Sequence, residues 1–145
     1  MRSVTRFATL LFATAALAAC DDKVPFSNVV TPIETTSIAG TWNLQTLNGL
    51  ALPVAIGNGD NLTASILTMV ATNTTSGTFT LTVTTDQTGT ASFTGNYTLS
   101  GTVLSLVITN PVNAPTITGS FGGGNTLSLT LVENGASFAA LYARQ

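Results

Sequence analysis

The chain has no histidine, one cysteine, and only four basic and six acidic side chains among 145 residues. The lack of histidine removes the commonest general base and the commonest metal ligand. A single cysteine excludes an internal disulfide or a thiolate cluster within one chain. The basic residues, Arg2, Arg6, Lys23 and Arg144, are too few to track a phosphate backbone, which argues against nucleic acid as a partner. A charged fraction of 7% with a mean hydropathy of +0.43 excludes a disordered, solvating chain. The length suits one domain with a real core.

Conventional catalysis has little to work with. Serines and threonines abound, but no histidine is present and Lys23 lies near the N-terminus, so no activated hydroxyl nucleophile is expected. Glu34, Asp60, Asp86 and Glu133 are scattered and fall at turns. Carboxylates there cap their own backbone more readily than they bind calcium or share a proton. Gly122-Gly123-Gly124 has no following helix and no nearby lysine, so it reads as a hairpin loop rather than a phosphate cradle. The expectation is a non-enzyme with no catalytic residue, cofactor or metal.

What is present begins with an address. Arg2 and Arg6 precede a short apolar core, Phe7–Ala16, and then Leu17-Ala18-Ala19-Cys20. This run resembles the bacterial lipobox, in which two small residues fit a narrow protease cleft and the cysteine sulfur accepts a lipid thioether. The resemblance implies a signal peptide over residues 1–19 and lipidation of Cys20. The apolar stretch is shorter than the ~20 residues of a membrane-spanning helix. Two or more acyl chains on Cys20, palmitate-like in length, suffice for stable attachment at ~0.8 kcal/mol per buried CH₂. The expected location is the bacterial cell envelope, lipid-anchored and extracytoplasmic. Asp21 and Asp22 resemble the inner-membrane retention signal of enteric bacteria, and the choice of membrane stays open.

Residues 20–37 then read as the lipidated cysteine and a flexible, extended tether, with Pro25 and Pro32 favouring extended backbone. From residue 38 to 145 a period of two dominates. Thr78-Phe79-Thr80-Leu81-Thr82-Val83-Thr84 alternates strictly, as do Phe93, Tyr97 and Leu99 within 91–99, and Leu127, Leu129 and Leu131. β-Branched threonine suits the outer face of a strand. Asn48-Gly49, Gly57-Asn58-Gly59-Asp60, Asp86-Gln87-Thr88-Gly89, Ser100-Gly101 and Glu133-Asn134-Gly135 are turn signals between such runs. Eight strands are expected near 41–47, 64–71, 78–85, 90–99, 102–108, 116–121, 126–132 and 137–143. Short loops between consecutive strands favour an all-β, eight-stranded antiparallel up-and-down barrel.

Gly40-Thr41-Trp42, within Ile38-Ala39-Gly40-Thr41-Trp42-Asn43-Leu44, resembles the Gly-x-Trp signature that opens the first strand of lipocalin and wider calycin barrels. Leu47-Asn48-Gly49 and Leu52-Pro53 extend the likeness to bacterial lipocalin-like lipoprotein domains. The resemblance implies that Trp42 closes one end of the barrel and that a basic residue after the last strand, here Arg144, packs across it. An Arg over an indole is worth ~0.5–2 kcal/mol.

An eight-stranded barrel is either filled by its side chains or holds one small ligand. Phe79, Phe93, Tyr97 and Phe121 are the aromatic candidates to line a cavity, and Ala91, Gly95 and Gly119 would open space beside them. No buried polar anchor for a ligand is evident. Two readings therefore stand side by side. In one, a lipid-anchored envelope lipoprotein binds a small apolar ligand. In the other, a non-enzymatic structural or interaction module with a filled core recognises an envelope protein. Residues 65–70 and 102–108 are apolar on both faces, so Leu67, Met69, Val103 and Val107 are expected to form an outer patch covered by Phe26, Val29 and Val30 of the tether or by a partner.

Overall fold

In the computed structural model, residues 37–133 and 135–145 are described. The lipobox, Cys20 and the tether up to residue 36 lie outside these. The threonine–apolar alternation becomes strands wherever turn residues break it, and no helix occurs among the described residues. The strands are β1 (Gly40–Leu47), β2 (Leu50–Ala51), β3 (Val54–Gly57), β4 (Asp60–Ala71), β5 (Ser76–Thr85), β6 (Thr90–Ser100), β7 (Val103–Asn110), β8 (Ile117–Ser120), β9 (Thr126–Glu133) and β10 (Ala136–Arg144). From β4 to β10 each pairs with its predecessor, and β10 pairs with β1. The β1–β4 pairing then closes an eight-stranded antiparallel barrel from β1 and β4–β10. The eight strands of the barrel are those expected from the alternation; β2 and β3 are additional.

Those two short strands shape the barrel. β1 and β4 pair only over Gly40–Asn43 against Ile66–Met69. Beyond that point the seam parts. The end of β1 folds back onto β2 through Asn48-Gly49, and the start of β4 onto β3 through Asn58-Gly59. Both Asn-Gly pairs have positive φ at both positions (50° and 78°; 53° and 77°), the geometry of a type I′ hairpin turn. Irregular register at Leu44/Thr46 and at Leu62/Ala64 bends the same two strands away from each other. One end of the barrel is therefore wide and the other narrow.

The narrow half is solid. Trp42, Leu67, Met69, Phe79, Tyr97, Leu104, Leu106, Leu127 and Leu129 are buried there. Each aliphatic member contributes ~1.5–3 kcal/mol by leaving water. Gly95 and Gly119 do not open space, contrary to the sequence-based expectation. A Cβ on Gly95 would fall 2.0 Å from the Val107 carbonyl oxygen and 2.8 Å from the Phe79 ring. On Gly119 it would meet Ser128 O at 2.1 Å and Leu129 at 2.7 Å. The register pairs Phe79 with Gly95 and Tyr97 with Gly77, so each ring fills the room that its glycine partner vacates.

The expected outer patch does not form. Leu67 and Met69 point inward and are buried, because the irregular register near Ala64 puts Ser65, Leu67 and Met69 on the inner face. On these two strands the exposed large apolar residues are Ile66 and Val70 of β4 and Val103 and Val107 of β7. Between these strands lie β5 and β6, whose outward residues Thr78, Thr80, Asn96 and Thr98 are polar and exposed. The apolar residues of β4 and β7 stand in separate rows, which is ordinary for a protein surface.

Candidate functional site

The closed end is built around the one tryptophan. Trp42 is fully buried, and its indole N–H donates to the Ile38 carbonyl at 3.0 Å. The β1–β10 register sets Arg144 opposite Trp42, and the guanidinium carbon sits 4.5 Å from the ring centroid. Arg144 also donates to the Ala39 carbonyl at 3.1 Å and to the Ser37 carbonyl. Gly40 makes this possible. Its φ is +142°, which L side chains rarely adopt, and its Cβ position lies 3.4 Å from an Arg144 nitrogen. Phe121 meets the indole edge-on at 5.7 Å between centroids. Among the described residues Arg144 is the sole basic side chain, and these contacts commit it to the plug.

The wide half is hollow. A cavity of about 420 Å³ lies between the splayed seam and the opposite wall. Leu44, Leu47, Leu62, Leu81 and Val83 line one side, and Ala91, Phe93, Ile108, Ile117, Leu131 and Phe138 the other. Ala114 and Pro115 reach in from the β7–β8 connection. Ile56 and Val132 line the cavity and are also exposed, which places them at its mouth. This volume falls within the range of small-molecule pockets.

Only two lining side chains are polar. The hydroxyls of Ser65 and Tyr142 share a hydrogen bond at 2.8 Å, and both residues are buried. Burial pushes the Tyr142 phenol above its ordinary value, and the Ser65 bond offsets part of that rise. The phenol is therefore neutral at any physiological pH. A pair of hydroxyls that bond to each other keeps one hydrogen and several lone pairs for a third group. This buried polar anchor is the feature that sequence reasoning missed. Its signal was Ser65 itself, the one polar residue in the Ser65, Leu67, Met69 row.

The mouth is clamped by two aspartates. Asp60 accepts from the Gln87 N–H at 3.0 Å and the Thr88 hydroxyl at 2.8 Å. Asp86 in turn accepts from the Asn61 N–H at 2.9 Å and the Asn61 amide at 2.7 Å. Each carboxylate thus caps the other's turn rather than its own, and so ties the β3–β4 hairpin to the β5–β6 turn. Burial opposes ionisation of Asp60, but the hydrogen bonds it accepts, among them those from the Gln87 N–H and the Thr88 hydroxyl, outweigh it and hold the carboxyl well below the usual range.

Of the aromatics expected to line a cavity, Phe93 does so, together with Phe138 and Tyr142. Phe79, Tyr97 and Phe121 instead fill the closed half, and the Tyr97 hydroxyl is buried there without a partner. The parted seam, which hydrophobic periodicity alone does not reveal, decides which aromatics face empty space. Ala91 does open room, since it lies at the wide end. Trp42 and Arg144 are brought together; Cys20 lies outside the described residues.

No curated protein matches the chain. The family model for the lipocalin-like domain matches residues 38–133, from the buried Ile38 through the end of β9. That match spans the Gly-x-Trp plug, the closing seam and most of the cavity wall, so the chain belongs to the lipocalin-like domain family.

Proposed function

We propose that the protein is a lipid-anchored, extracytoplasmic lipoprotein of the bacterial cell envelope whose barrel holds one small apolar ligand. The observation that carries the binding reading is the cavity of about 420 Å³, walled by apolar side chains at the end opposite the Trp42 plug. Anchoring rests on the resemblance of Leu17-Ala18-Ala19-Cys20 to a lipobox, with Cys20 as the lipid acceptor. The tether would hold the barrel near the membrane, where apolar molecules concentrate. The role is binding, with no chemistry assigned to any residue. An interaction module with a filled core gains less support, because the wide end encloses a cavity of about 420 Å³ and the exposed valines of β4 and β7 form no continuous surface.

Native mass spectrometry of the chain carrying Cys20→Ser, purified without detergent, tests the binding reading. One small molecule per chain, lost when the cavity is filled by Ala91→Trp, is the expected result. A chain that carries no ligand and takes up none from a panel of apolar compounds overturns it.

A further inference from the structure

The proposed cavity has an unusual charge environment for an apolar-ligand site. Its lining contains no cation, and the only basic side chain among the described residues is held over Trp42 at the opposite end. Its mouth end carries carboxylates instead. Asp60 opens β4 and Asp86 lies in the β5–β6 turn. A carboxylate ligand that enters head first must shed its water in an apolar chamber with no counter-charge, which is strongly unfavourable. One that enters tail first leaves its head among like charges, which also repel it. Both orientations penalise an anion.

An uncharged head meets neither penalty. The Ser65–Tyr142 pair offers the one hydrogen-bonding point in the chamber, and it can donate one hydrogen or accept one. From these observations we infer that the cavity selects neutral apolar molecules bearing a single hydroxyl or carbonyl group, bound by Ser65 and Tyr142, and discriminates against fatty-acid-like carboxylates. At the ~30 Å³ that a water-sized unit occupies in a liquid, the cavity holds about 14 non-hydrogen atoms. This sets the ligand near a ten-to-twelve-carbon chain or a two-ring compound. The inference rests on the apolar-ligand reading and narrows it to a chemical class.

The test compares 1-decanol with decanoate at pH 7.5. They have the same chain length and differ in head charge. The full chain carrying Cys20→Ser, purified free of detergent, is titrated with each and followed by NMR shifts of lining methyl groups. Decanol is expected to bind at least tenfold more tightly than decanoate. The double variant Ser65→Ala/Tyr142→Phe removes both hydroxyls together, so neither is left buried and unpaired. It is expected to bind decanol roughly fivefold more weakly, the size of one lost hydrogen bond. Decanoate binding as tightly as decanol overturns the selection while leaving the apolar-ligand reading intact. Unchanged decanol affinity in the double variant overturns the anchoring role of the pair. If neither compound binds, nor any apolar compound in the wider panel, the cavity reading itself falls and this inference with it.

Discussion

Replacing Trp42 with alanine tests the closed end most directly. The indole is fully buried, packs edge-on against Phe121, lies under the Arg144 guanidinium, and satisfies the Ile38 carbonyl. Removing a large aromatic from such a site costs ~3–5 kcal/mol, because the rigid barrel wall cannot collapse into the space. That is a large share of the ~5–15 kcal/mol that holds a domain of this size. Arg144→Ala should cost far less, on the order of 1 kcal/mol, since water can reach the carbonyls that it releases. In a double-mutant cycle the two should couple by ~0.5–2 kcal/mol, the range for a cation over an indole. Urea unfolding followed by far-ultraviolet circular dichroism is the assay, because Trp42→Ala removes the only tryptophan. Ligand affinity of the folded variant should be unchanged, since the cavity lies in the other half. A loss within the ~0.5 kcal/mol typical of surface substitutions, or no coupling at all, would refute the plug.

Other positions make independent claims. Gly95→Ala should destabilise by ~3 kcal/mol or more in the same urea assay, as its methyl would overlap the Val107 carbonyl and the Phe79 ring; a neutral result would mean that the strands have slack there. Asp60→Asn should lower the melting temperature at pH 7. The folded carboxyl titrates below its unfolded value of ~3.9, so its contribution is complete above about pH 5 and fades as pH falls through 4 and below. Melting curves of variant and parent should therefore converge in strong acid, and a gap that widens there would contradict the hydrogen-bond origin. Cys20→Ser should leave an uncleaved or mislocalised precursor in fractionated cells, whereas recovery of processed, membrane-bound protein would remove the lipid anchor from the proposal. A bound neutral ligand at a hundred times its Kd should add ~2.7 kcal/mol of stability. Hydrogen exchange should show that protection concentrated in the β3–β4 and β9–β10 hairpins.

The alternation of threonine with apolar residues made the eight barrel strands legible, because each has a wet face and a dry face. β2 and β3 were not legible as strands, since β2 has only two residues and β3, Val54-Ala55-Ile56-Gly57, shows no alternation of polar with apolar side chains. Their turns were, as Asn48-Gly49 and Asn58-Gly59. The closing plug was also readable, because Gly40, Trp42 and Arg144 sit at fixed ends of the first and last strands. The cavity wall was harder. Phe79 and Phe93 share the inward parity of adjacent strands, yet Phe79 is buried in the solid half and Phe93 faces the hollow one. Parity assigns a side chain to the inside, but height along the barrel decides whether anything fills the space beside it. The aspartates were misread for a related reason. A turn residue is normally satisfied locally, and only the closed sheet brings Asp60 to Thr88 and Asp86 to Asn61.

The two halves of the interior follow from one topological choice. A seam zipped along its whole length would have drawn β1 and β4 together and set Leu47 against Leu62, as Trp42 and Leu67 are paired below. The two Asn-Gly hairpins divert both strands after four paired residues, so the wall opens while its inner face stays apolar. The cost falls on side chains such as Phe93 and Phe138, which pack against the core yet are only partly buried. Half-buried aromatics around an unfilled space are an unspent hydrophobic driving force, available to whatever apolar molecule completes their burial. Meanwhile Asp60 and Asp86 tie the diverted hairpin to the next turn, so the mouth is held by hydrogen bonds that demand no apolar filling. Stability resides in the plug and the glycine–aromatic pairs, and the capacity to bind resides where the seam parts. A substitution in one half should therefore be felt in the other only weakly.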